Sequence, residues 1–232
     1  IETVAADLPK ERDAIVAVDN NGAVHCLRFA DRSKAEIVWS AKTDLQPSGP
    51  AAIGSPRRNG RCDAVLADFG GKIYIFDGET GELTHEHRLP ANRRVEAGLA
   101  LGQLEGDWGI DEILVGDAHG ELYAFAAEAD SPALRSIWPA PVSIFGTPLK
   151  NLETLDINDD KVADALSVYY QDLVMVDGLR ARAARWSARY EIASPPAILR
   201  ADDGNSYAFL FDEQGRLYAV RLSMQGGETV AE

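Results

Sequence analysis

The chain has 232 residues, 46% of them hydrophobic, so it can bury a substantial core and its composition argues against wholesale disorder. Its 37 acidic residues outnumber its 23 Lys and Arg residues, which gives a formal net charge of −14. This negative field disfavours nucleic acid and anionic lipid as partners and suits a cation or a basic partner. No apolar run reaches the roughly 18 residues that a membrane-spanning helix needs, so no transmembrane segment is predicted.

Five segments of the chain repeat one pattern, in which two runs rich in Val, Ile, Leu, Tyr and Phe flank a short polar turn. The segments begin at Asp13, Asp63, Asp111, Asp164 and Ser206, and their starts are 50, 48, 53 and 42 residues apart. Two such runs around a turn are typical of a β-hairpin. A period in the forties is typical of a four-stranded propeller blade.

A shorter apolar run precedes each hairpin after the first, and a looser run follows each of the first four, which completes four strands, A to D. The predicted blades span residues 2–45, 50–90, 97–140, 150–190 and 196–222. No strand D is evident after the fifth hairpin, so we expect an edge there that is short, covered or paired with another chain. The sequence therefore predicts an all-β chain: a single β-propeller domain over residues 1–232, with about five four-stranded blades or five blades of a larger propeller.

Two local features recur along these blades. Four of the five B–C turns end in Gly, which reaches positive φ at little cost, whereas the turn at Tyr170 has none and must be built differently. Trp39, Trp138 and Trp186 fall on or near strand D of their blades. We predict that these large aromatic side chains pack neighbouring blades together.

Two stretches of the chain resemble known propeller repeats. Residues 71–83, GKIYIFDGETGEL, look like the PQQ-like (quinoprotein-type) repeat, in which a hairpin runs into an Asp-x-x-Thr-Gly turn. Residues 155–168, LDINDDKVADALSV, look like the FG-GAP repeat of integrin-type propellers and bacterial surface proteins. Together the resemblances cover most of the chain and imply a propeller, and they leave its function open because these folds host many functions.

The FG-GAP-like stretch carries oxygen-bearing side chains at positions 1, 3, 5 and 9 of a short loop. Calcium takes six to eight hard oxygen ligands, and side chains so spaced in a tight loop can converge on one ion. The predicted Ca²⁺ ligands are Asp156, Asn158, Asp160, the backbone carbonyl of Val162, and Asp164. The FG-GAP resemblance implies the same set and places the loop between strands A and B.

This loop departs from an EF-hand, because Lys161 stands at position 6 in place of Gly and Ser167 at position 12 in place of Glu. The alternative interpretation is an acidic surface turn that binds no metal. A weaker version of the pattern occurs one blade earlier, at Gln103, Glu105, Asp107 and Asp111.

The B–C turns are the predicted partner-binding surface. Strands alternate in direction, so these turns share one rim with the D–A connections, opposite the A–B loops. Loops on a rigid scaffold are where recognition usually lies. The candidate contact residues are Asn20, Asn21, His119, Tyr169 and Tyr170. Strand alternation turns one of the two tyrosines inward, and we expect the exposed one to contact the partner.

Other signals are less specific. Cys26 and Cys62 have a spacing that permits a disulfide without establishing one, and Cys26 lies in an apolar strand where buried thiols are common. The sequence contains no Gly-x-Ser-x-Gly elbow, no phosphate-binding Gly loop and no Cys-x-x-Cys, so an enzyme is disfavoured without being excluded. The first residue is Ile1 rather than Met, which fits either a removed signal segment or a trimmed sequence. We expect a periplasmic or extracellular location.

The leading functional hypothesis is a non-enzymatic, calcium-stabilised propeller that acts as a binding or scaffold module, with a protein partner, in an extracytoplasmic assembly or at the cell surface. One alternative is a propeller enzyme or cofactor-carrying domain of quinoprotein or lyase type, which would show a deep pocket with converging polar groups. The other is a lectin with a glycan partner, which would show shallow pockets with an aromatic platform between blades.

Overall fold

The structure, a computed structural model, describes residues 2–6, 14–19, 21–31, 34–90, 93–107, 109–128, 131–144 and 150–231. Within these ranges the chain forms five antiparallel β-sheets and no α-helix. No helix in the described ranges has the length and apolar character that crossing a membrane requires.

The strands follow one another across each sheet in chain order. The first sheet contains β1 (Glu2–Ala6), β2 (Ala14–Val18), β3 (Ala23–Asp31) and β4 (Lys34–Lys42). The second contains β5 (Ala52–Gly54), β6 (Asp63–Ala67), β7 (Lys72–Asp77) and β8 (Leu83–Arg88). The third contains β9 (Val95–Gly102), β10 (Glu112–Asp117), β11 (Glu121–Ala127), β12 (Leu134–Ser136) and β13 (Val142–Ser143). The fourth contains β14 (Lys150–Leu155), β15 (Asp164–Tyr169), β16 (Asp172–Asp177) and β17 (Arg182–Ser187). The fifth contains β18 (Ala197–Arg200), β19 (Ser206–Phe211), β20 (Leu217–Arg221) and β21 (Glu228–Ala231).

Each sheet is an up-and-down meander, which is the arrangement of a propeller blade and confirms the all-β propeller prediction. We number the sheets blades 1 to 5 and keep the letters A to D for their strands. The third blade has a divided strand D, because β12 and β13 both pair with β11 and the segment between them leaves the sheet. That segment contains Pro139 and Pro141, which have no N–H group to continue the ladder.

The prediction that blade 5 lacks a strand D, and so ends near Leu222, is wrong. Strand β21 pairs with β20, with Ala219 opposite Ala231 and Arg221 opposite Glu228. All four residues of β21 are exposed, so the strand lacks the apolar pattern on which the sequence analysis relied. The chain returns to the sheet through Gly226, whose φ of 120° suits glycine.

The third repeat is also displaced by one residue from its predicted start. Strand β10 begins at Glu112, and the equivalent first residues of β6 and β15 are Asp63 and Asp164. All three side chains are buried. The neighbouring Asp111 precedes the strand, so its carboxylate can accept hydrogen bonds from the adjacent loops.

The core lies between blades rather than within them. Neighbouring residues of β6 illustrate this, because Leu66 packs with residues of blade 1 and Val65 packs with residues of blade 3. Four apolar clusters of this kind join blades 1 to 2, 2 to 3, 3 to 4 and 4 to 5. Both faces of a central blade are therefore apolar, and each face needs a neighbouring sheet to cover it.

The tryptophans connect successive blades, as predicted. The Trp39 indole N–H donates to the Gly78 carbonyl of blade 2 at 2.9 Å, and the Trp138 indole N–H donates to the Gly178 carbonyl of blade 4 at 2.8 Å. The third indole, that of Trp186, donates to the Thr229 hydroxyl of blade 5 at 3.0 Å.

Replacing Trp138 with Phe should destabilise the protein by about 1–3 kcal/mol, because it leaves the buried Gly178 carbonyl without its donor. For a chain of this size, each kcal/mol lowers Tm by about 2–4 °C, which differential scanning calorimetry resolves. The matched control is Trp186→Phe, since its acceptor is on the exposed Thr229, which water can reach. An equal or larger loss in the control would show that the Trp138 hydrogen bond does not join the blades as described.

Candidate functional sites on the two rims

The meander places the polar connections on two opposite rims. The loop rim carries the A–B loops, which include residues 55–62, 103–107, 109–111, 156–163 and 201–205, together with the C–D turns. The turn rim carries the B–C turns, which include residues 19, 21–22, 68–71, 118–120, 170–171 and 212–216, together with the D–A connections. The predicted calcium ligands lie on the loop rim, and the partner-binding candidates that the structure describes lie on the turn rim.

The calcium-type loop of blade 4 is closed by its own side chains. The Asp156 carboxylate accepts the backbone N–H groups of Asp160 at 3.2 Å and Lys161 at 3.0 Å. The Asn158 side-chain oxygen accepts the same Asp160 N–H at 3.0 Å, and Asp160 Oδ1 accepts the Val162 N–H at 2.9 Å. Lys161, at the position where Gly is usual in such loops, adopts a positive φ of 70°.

Asp164 is fully buried and closes the base of the same loop. One carboxylate oxygen accepts the Ile157 N–H at 2.8 Å and the other accepts the Gly178 N–H at 3.0 Å. Burial raises the pKa of Asp164 to about 6, against the opposing effect of these two hydrogen bonds. The side chain thus ties the A–B loop to the C–D turn of its blade.

The loop contains oxygen-bearing side chains of the kind that bind calcium, but these side chains do not surround a common point. Asp160 Oδ2 is buried without a hydrogen bond, and the Arg180 guanidinium lies 3.8 Å from it. In the described parts of the chain, no group of three or more His, Cys, Asp or Glu side chains is arranged to hold a metal ion. The structure brings Asp156, Asn158 and Asp160 together in one loop and directs Asp164 toward backbone amides.

The equivalent position in blade 2 holds a cation that belongs to the protein itself. Arg57 makes two hydrogen bonds to the buried Asp63, at 2.7 and 2.5 Å, and a third to Asp77 at 2.7 Å. Burial raises the pKa of Asp63 although Arg57 acts against it. Burial also opposes ionisation of Asp77, but hydrogen bonds from Arg57 and Thr80 hold its pKa at about 2. Arg57 was not among the predicted site residues, because the metal-loop pattern consists of oxygen-bearing side chains and does not include an arginine.

In blade 3, Glu112 occupies the position of Asp63. The loop before it contains the weaker acidic pattern that was noted in the sequence, and its carboxylates are used in contacts within the protein. Glu112 accepts the backbone N–H of Leu104 at 2.6 Å. Arg58 reaches across from blade 2 to Glu105 at 2.7 Å and to Asp107 at 3.1 Å. These carboxylates form ion pairs between blades, and Asp111 accepts the Ser55 N–H of blade 2 at 2.8 Å.

The turn rim is fixed by a recurring pair of Asp and Tyr. In blades 2, 3 and 5 a buried Asp at the start of the B–C turn accepts turn amides through one oxygen and a tyrosine hydroxyl from strand C through the other. The hydroxyl distances are 3.1, 3.4 and 2.9 Å, for the pairs Tyr74–Asp68, Tyr123–Asp117 and Tyr218–Asp212. In blade 1 the tyrosine position is taken by His25, 3.9 Å from Asp19. This pair holds the turn tips in place.

The predicted partner residues that the structure describes lie at three turns of this rim, those of blades 1, 3 and 4. Asn20 lies outside the described residues, and Asn21 and His119 are exposed at the tips of blades 1 and 3. Tyr170 is 55% exposed and adopts a positive φ of 48° in the turn that lacks Gly. Tyr169 is partly buried against the core between blades 3 and 4, and the two tyrosine rings meet edge to face at 4.8 Å. Among the candidates within the described residues, Tyr169 and Tyr170 are the two whose side chains meet.

Next to Tyr170, the turn rim carries aromatic and basic side chains that the sequence analysis did not single out. The Arg216 guanidinium lies 4.8 Å from the centre of the Tyr190 ring, and that of Arg189 lies 5.5 Å from it. We call Tyr170, Arg189, Tyr190 and Arg216 the Tyr–Arg patch. The signal available in the sequence was the position of Tyr190 in a D–A connection, which the repeat places beside the B–C turns.

Cys26 is buried in the core between blades 1 and 2, and burial raises the pKa of its thiol. It is a free thiol, so the structure does not support the disulfide alternative. A buried protonated thiol behaves as a small apolar side chain and is unreactive.

Comparison with known proteins supports the fold alone. No protein-family profile matches the chain, and no curated protein matches it. Among solved structures, Saccharomyces cerevisiae Sqt1 is similar with a TM-score of 0.68 and 11% identity over 93% of this chain and 56% of that protein. BBS1N in complex with ARL6DN is similar with a TM-score of 0.68 and 12% identity in a mercury-soaked crystal, over 95% of this chain and 64% of that one. The lead-soaked crystal of that complex gives 0.64 and 9%, over 93% and 66%.

These likenesses agree with the described sheets in showing a β-propeller. The chain spans 56% to 66% of the length of the three solved chains. They do not test the PQQ-like or FG-GAP assignment of the repeats, which stays a prediction.

Asp164 should make stability depend on pH with a definite sign. Its folded pKa, raised to about 6, lies above the unfolded value of about 3.9, so the native state holds this proton more tightly. The stabilising contribution is complete below about pH 4 and is lost as pH rises through about 6. Between pH 4.5 and 7, the loss should be about 2 kcal/mol.

The measurement is urea unfolding of the wild type and Asp164→Asn across this pH range, with chelator present to remove cations. The free energy of unfolding of the wild type minus that of Asp164→Asn should fall as pH rises. Asp203→Asn, on an exposed loop of blade 5, is the matched control and should leave the wild-type pH dependence in this range unchanged. A flat difference between wild type and Asp164→Asn would contradict the raised pKa.

Proposed function

We propose that this chain is a non-enzymatic binding module, which presents the turn rim of a β-propeller to a protein partner in a larger assembly. The observation that carries the proposal is the Tyr–Arg patch on a rim whose turns are fixed by buried hydrogen bonds. Tyr and Arg are the side chains most enriched, with Trp, at the energetic centres of protein interfaces.

The patch is held rigidly by the D–A connection between blades 4 and 5. The Ile192 N–H donates to the Tyr170 carbonyl at 2.7 Å, and the Glu213 N–H donates to the Glu191 carbonyl at 2.9 Å. The connection is therefore anchored to the B–C turns on both sides. Rigid anchors bind with a smaller loss of conformational entropy, which favours their use in recognition.

The charge of the patch indicates the kind of partner. Arg189 and Arg216 lie beside the Tyr190 ring on a chain whose net charge is −14. Glu191 and Glu213 are nearby in the same connection and turn, so the two guanidinium groups are the basic component of the patch. A partner segment that combines acidic and apolar side chains is complementary to it. BBS1N, a propeller of similar fold, is found in complex with ARL6DN, which shows that such a fold is compatible with a protein partner.

Tyr170→Ser should reduce capture of the native partner at least tenfold, because it removes an exposed aromatic anchor. The measurement is affinity capture with the wild type and the variant as bait, quantified by mass spectrometry, alongside Tm. The matched control is Leu83→Ser, an exposed apolar residue on the outer strand β8, 41% exposed against 55% for Tyr170. Equal recovery with both baits would contradict the proposed surface, and a fall in Tm confined to Tyr170→Ser would assign that residue to the core.

We further propose that calcium stabilises blade 4. Asp156, Asn158 and Asp160 would hold the ion, with the Val162 carbonyl and Asp164 completing a set of hard oxygen ligands. Asp160 Oδ2 supports this, because it is buried without a hydrogen bond and the Arg180 guanidinium, 3.8 Å away, is beyond hydrogen-bond distance, so a directly bound cation would satisfy it. Blade 2 supports it by analogy, since Arg57 supplies a positive charge at the equivalent place.

Calcium should raise Tm relative to chelator, since a ligand at about 100 times its Kd stabilises the folded state by about 2.7 kcal/mol. Asp160→Asn should remove most of this difference, whereas Asp203→Asn on an exposed A–B loop of blade 5 should retain it. Identical midpoints with calcium and chelator in the wild type would leave the loop as an acidic turn without metal. Calorimetric titration of the chelated protein provides an independent measurement.

An extracytoplasmic location and the PQQ-like or FG-GAP repeat type belong to the same proposal. The C–D turn of blade 2 supports the PQQ-like assignment, because Asp77 accepts the Thr80 N–H at 2.9 Å and the Thr80 hydroxyl at 3.1 Å in an Asp-x-x-Thr-Gly turn. Cell fractionation with antibody detection tests the location.

One cleft favours the glycan alternative. It has a volume of 320 Å³, lies between blades 2 and 3 on the outer surface, and is lined by His87, Tyr123, Phe125 and Trp138 among others. Tyr123, Phe125 and Trp138 are 4–7% exposed, so the partly buried His87 is the ring of this cleft that a sugar would contact. A glycan array probed with the wild type and His87→Ala distinguishes this function from protein binding. The enzyme alternative would require turnover of a substrate. The cofactor-carrier alternative would require a cofactor to bind with a change in absorbance.

A further inference from the structure

Four residues of each blade form the face that covers the next blade. In blade 4, these residues lie on β15 and β16 and are 0–1% exposed: Leu166, Val168, Leu173 and Met175. The corresponding residues of blades 1 and 2 are also apolar and are at most 3% exposed. In every case the neighbouring blade supplies the cover.

The four corresponding residues of blade 5 are also apolar, but no neighbouring blade among the described residues packs on them. The strand register places Phe209, Phe211, Leu217 and Ala219 at the four positions. Phe211 is 49% exposed and Leu217 is 45% exposed, and Phe209 and Ala219 are only partly buried. A depression of 800 Å³ on this face is lined by Phe209, Arg216, Leu217, Ala219 and Ala231. Among the described residues, no apolar cluster joins blade 5 to blade 1.

Two aromatic and two aliphatic side chains at interface positions are costly to leave in water. Full burial of a Phe or Leu side chain is worth about 1.5–3 kcal/mol relative to exposure. Isolated exposed apolar residues are ordinary, but a contiguous set at positions that are otherwise always covered marks an interaction site.

We propose that this open face of blade 5 binds a further propeller blade, a four-stranded antiparallel sheet that is not among the five. The chemistry of the occupant follows from the existing interfaces. The covering blade presents small or branched apolar residues from strand B and apolar or aromatic residues from strand C, as blade 5 itself does toward blade 4 with Ala208, Leu210, Tyr218 and Val220. The solved propellers of similar fold extend beyond the length that this chain spans, which accommodates additional blades.

A second copy of this chain is a poorer occupant. Its blade 1 would have to pack on blade 5, and such a head-to-tail contact between different surfaces builds open filaments unless its rotation closes a ring. The inference extends the proposed scaffold function to a second surface. Arg216 belongs to the Tyr–Arg patch and also lines this depression, whereas Tyr170 is on the turn rim and not on this face. The Tyr170 and Phe211 variants therefore test the two proposals separately.

The test extends the full chain after Glu232 with a second copy of residues 188–231, so that a connection and a blade of known chemistry follow blade 5. Leu217→Cys, in the first copy only, reports access to the face through its rate of maleimide labelling, read on its own peptide. The extended chain should label on the order of tenfold more slowly than the unextended Leu217→Cys chain. Its Tm should rise by about 5 °C or more.

Phe211→Asp in the first copy should abolish both effects, because it places a charge at the centre of the interface. Phe69→Asp is the matched control: this residue is equally exposed, at 48%, but lies on the turn rim, so both effects should persist. Unchanged labelling and Tm on extension would overturn the proposal.

Two measurements on the unextended chain keep the proposal falsifiable even if the extension does not fold. Light scattering should show a monomer, and a dimer that Phe211→Asp dissociates would make a second copy the occupant and overturn the proposal. Labelling of the monomeric Leu217→Cys chain should be fast. Slow labelling would show that the chain covers this face itself, which also overturns the proposal.

Discussion

The structure depends on one constraint, that the inner strands of each blade bury apolar side chains on both faces. Val65 and Leu66 are consecutive residues of β6, point to opposite sides, and are both fully buried. A sheet of this kind cannot be stable alone in water, so every blade needs a neighbour. The four cores between blades, the tryptophan hydrogen bonds that accompany them, and the open face of blade 5 are consequences of the same requirement.

Because the side chains of the inner strands pack in the cores between blades, the polar side chains are concentrated on the two rims. On the loop rim, one repeat position carries a buried carboxyl group in three consecutive blades, and the blades satisfy it in two ways. Asp63 is paired with Arg57, whereas Glu112 and Asp164 accept backbone amides. A buried carboxylate must find a donor or a cation, or it must bind a proton. Burial raises the pKa of Asp164 although two backbone amides donate to it, and the calcium proposed for the loop of blade 4 would answer the same need.

The turn rim has a different physical character. Its buried Asp–Tyr pairs fix the backbone of the turns, so the residues at the tips are held in place without being buried. A rim of this kind suits recognition more than catalysis, because its ordered side chains are spread over several blades. The groups with perturbed pKa values on the loop rim, Asp63 and Asp77 among them, are engaged in contacts that hold the fold together.

The sequence by itself determined the repeat, the all-β propeller, the role of the tryptophans and the inward direction of one of the two tyrosines. These follow from local periodicity, since a strand shows its buried positions through alternation and a blade shows its length through recurrence. Tertiary structure alone decided the rest. Strand β21 has no apolar residue pattern, and its place is set by pairing with β20. Arg57, Arg58 and the Tyr–Arg patch acquire their partners from loops that are distant in sequence or on neighbouring blades. The exposure of Phe211 and Leu217 has the same origin, because their sequence pattern is that of core residues and no sheet among the described residues covers them.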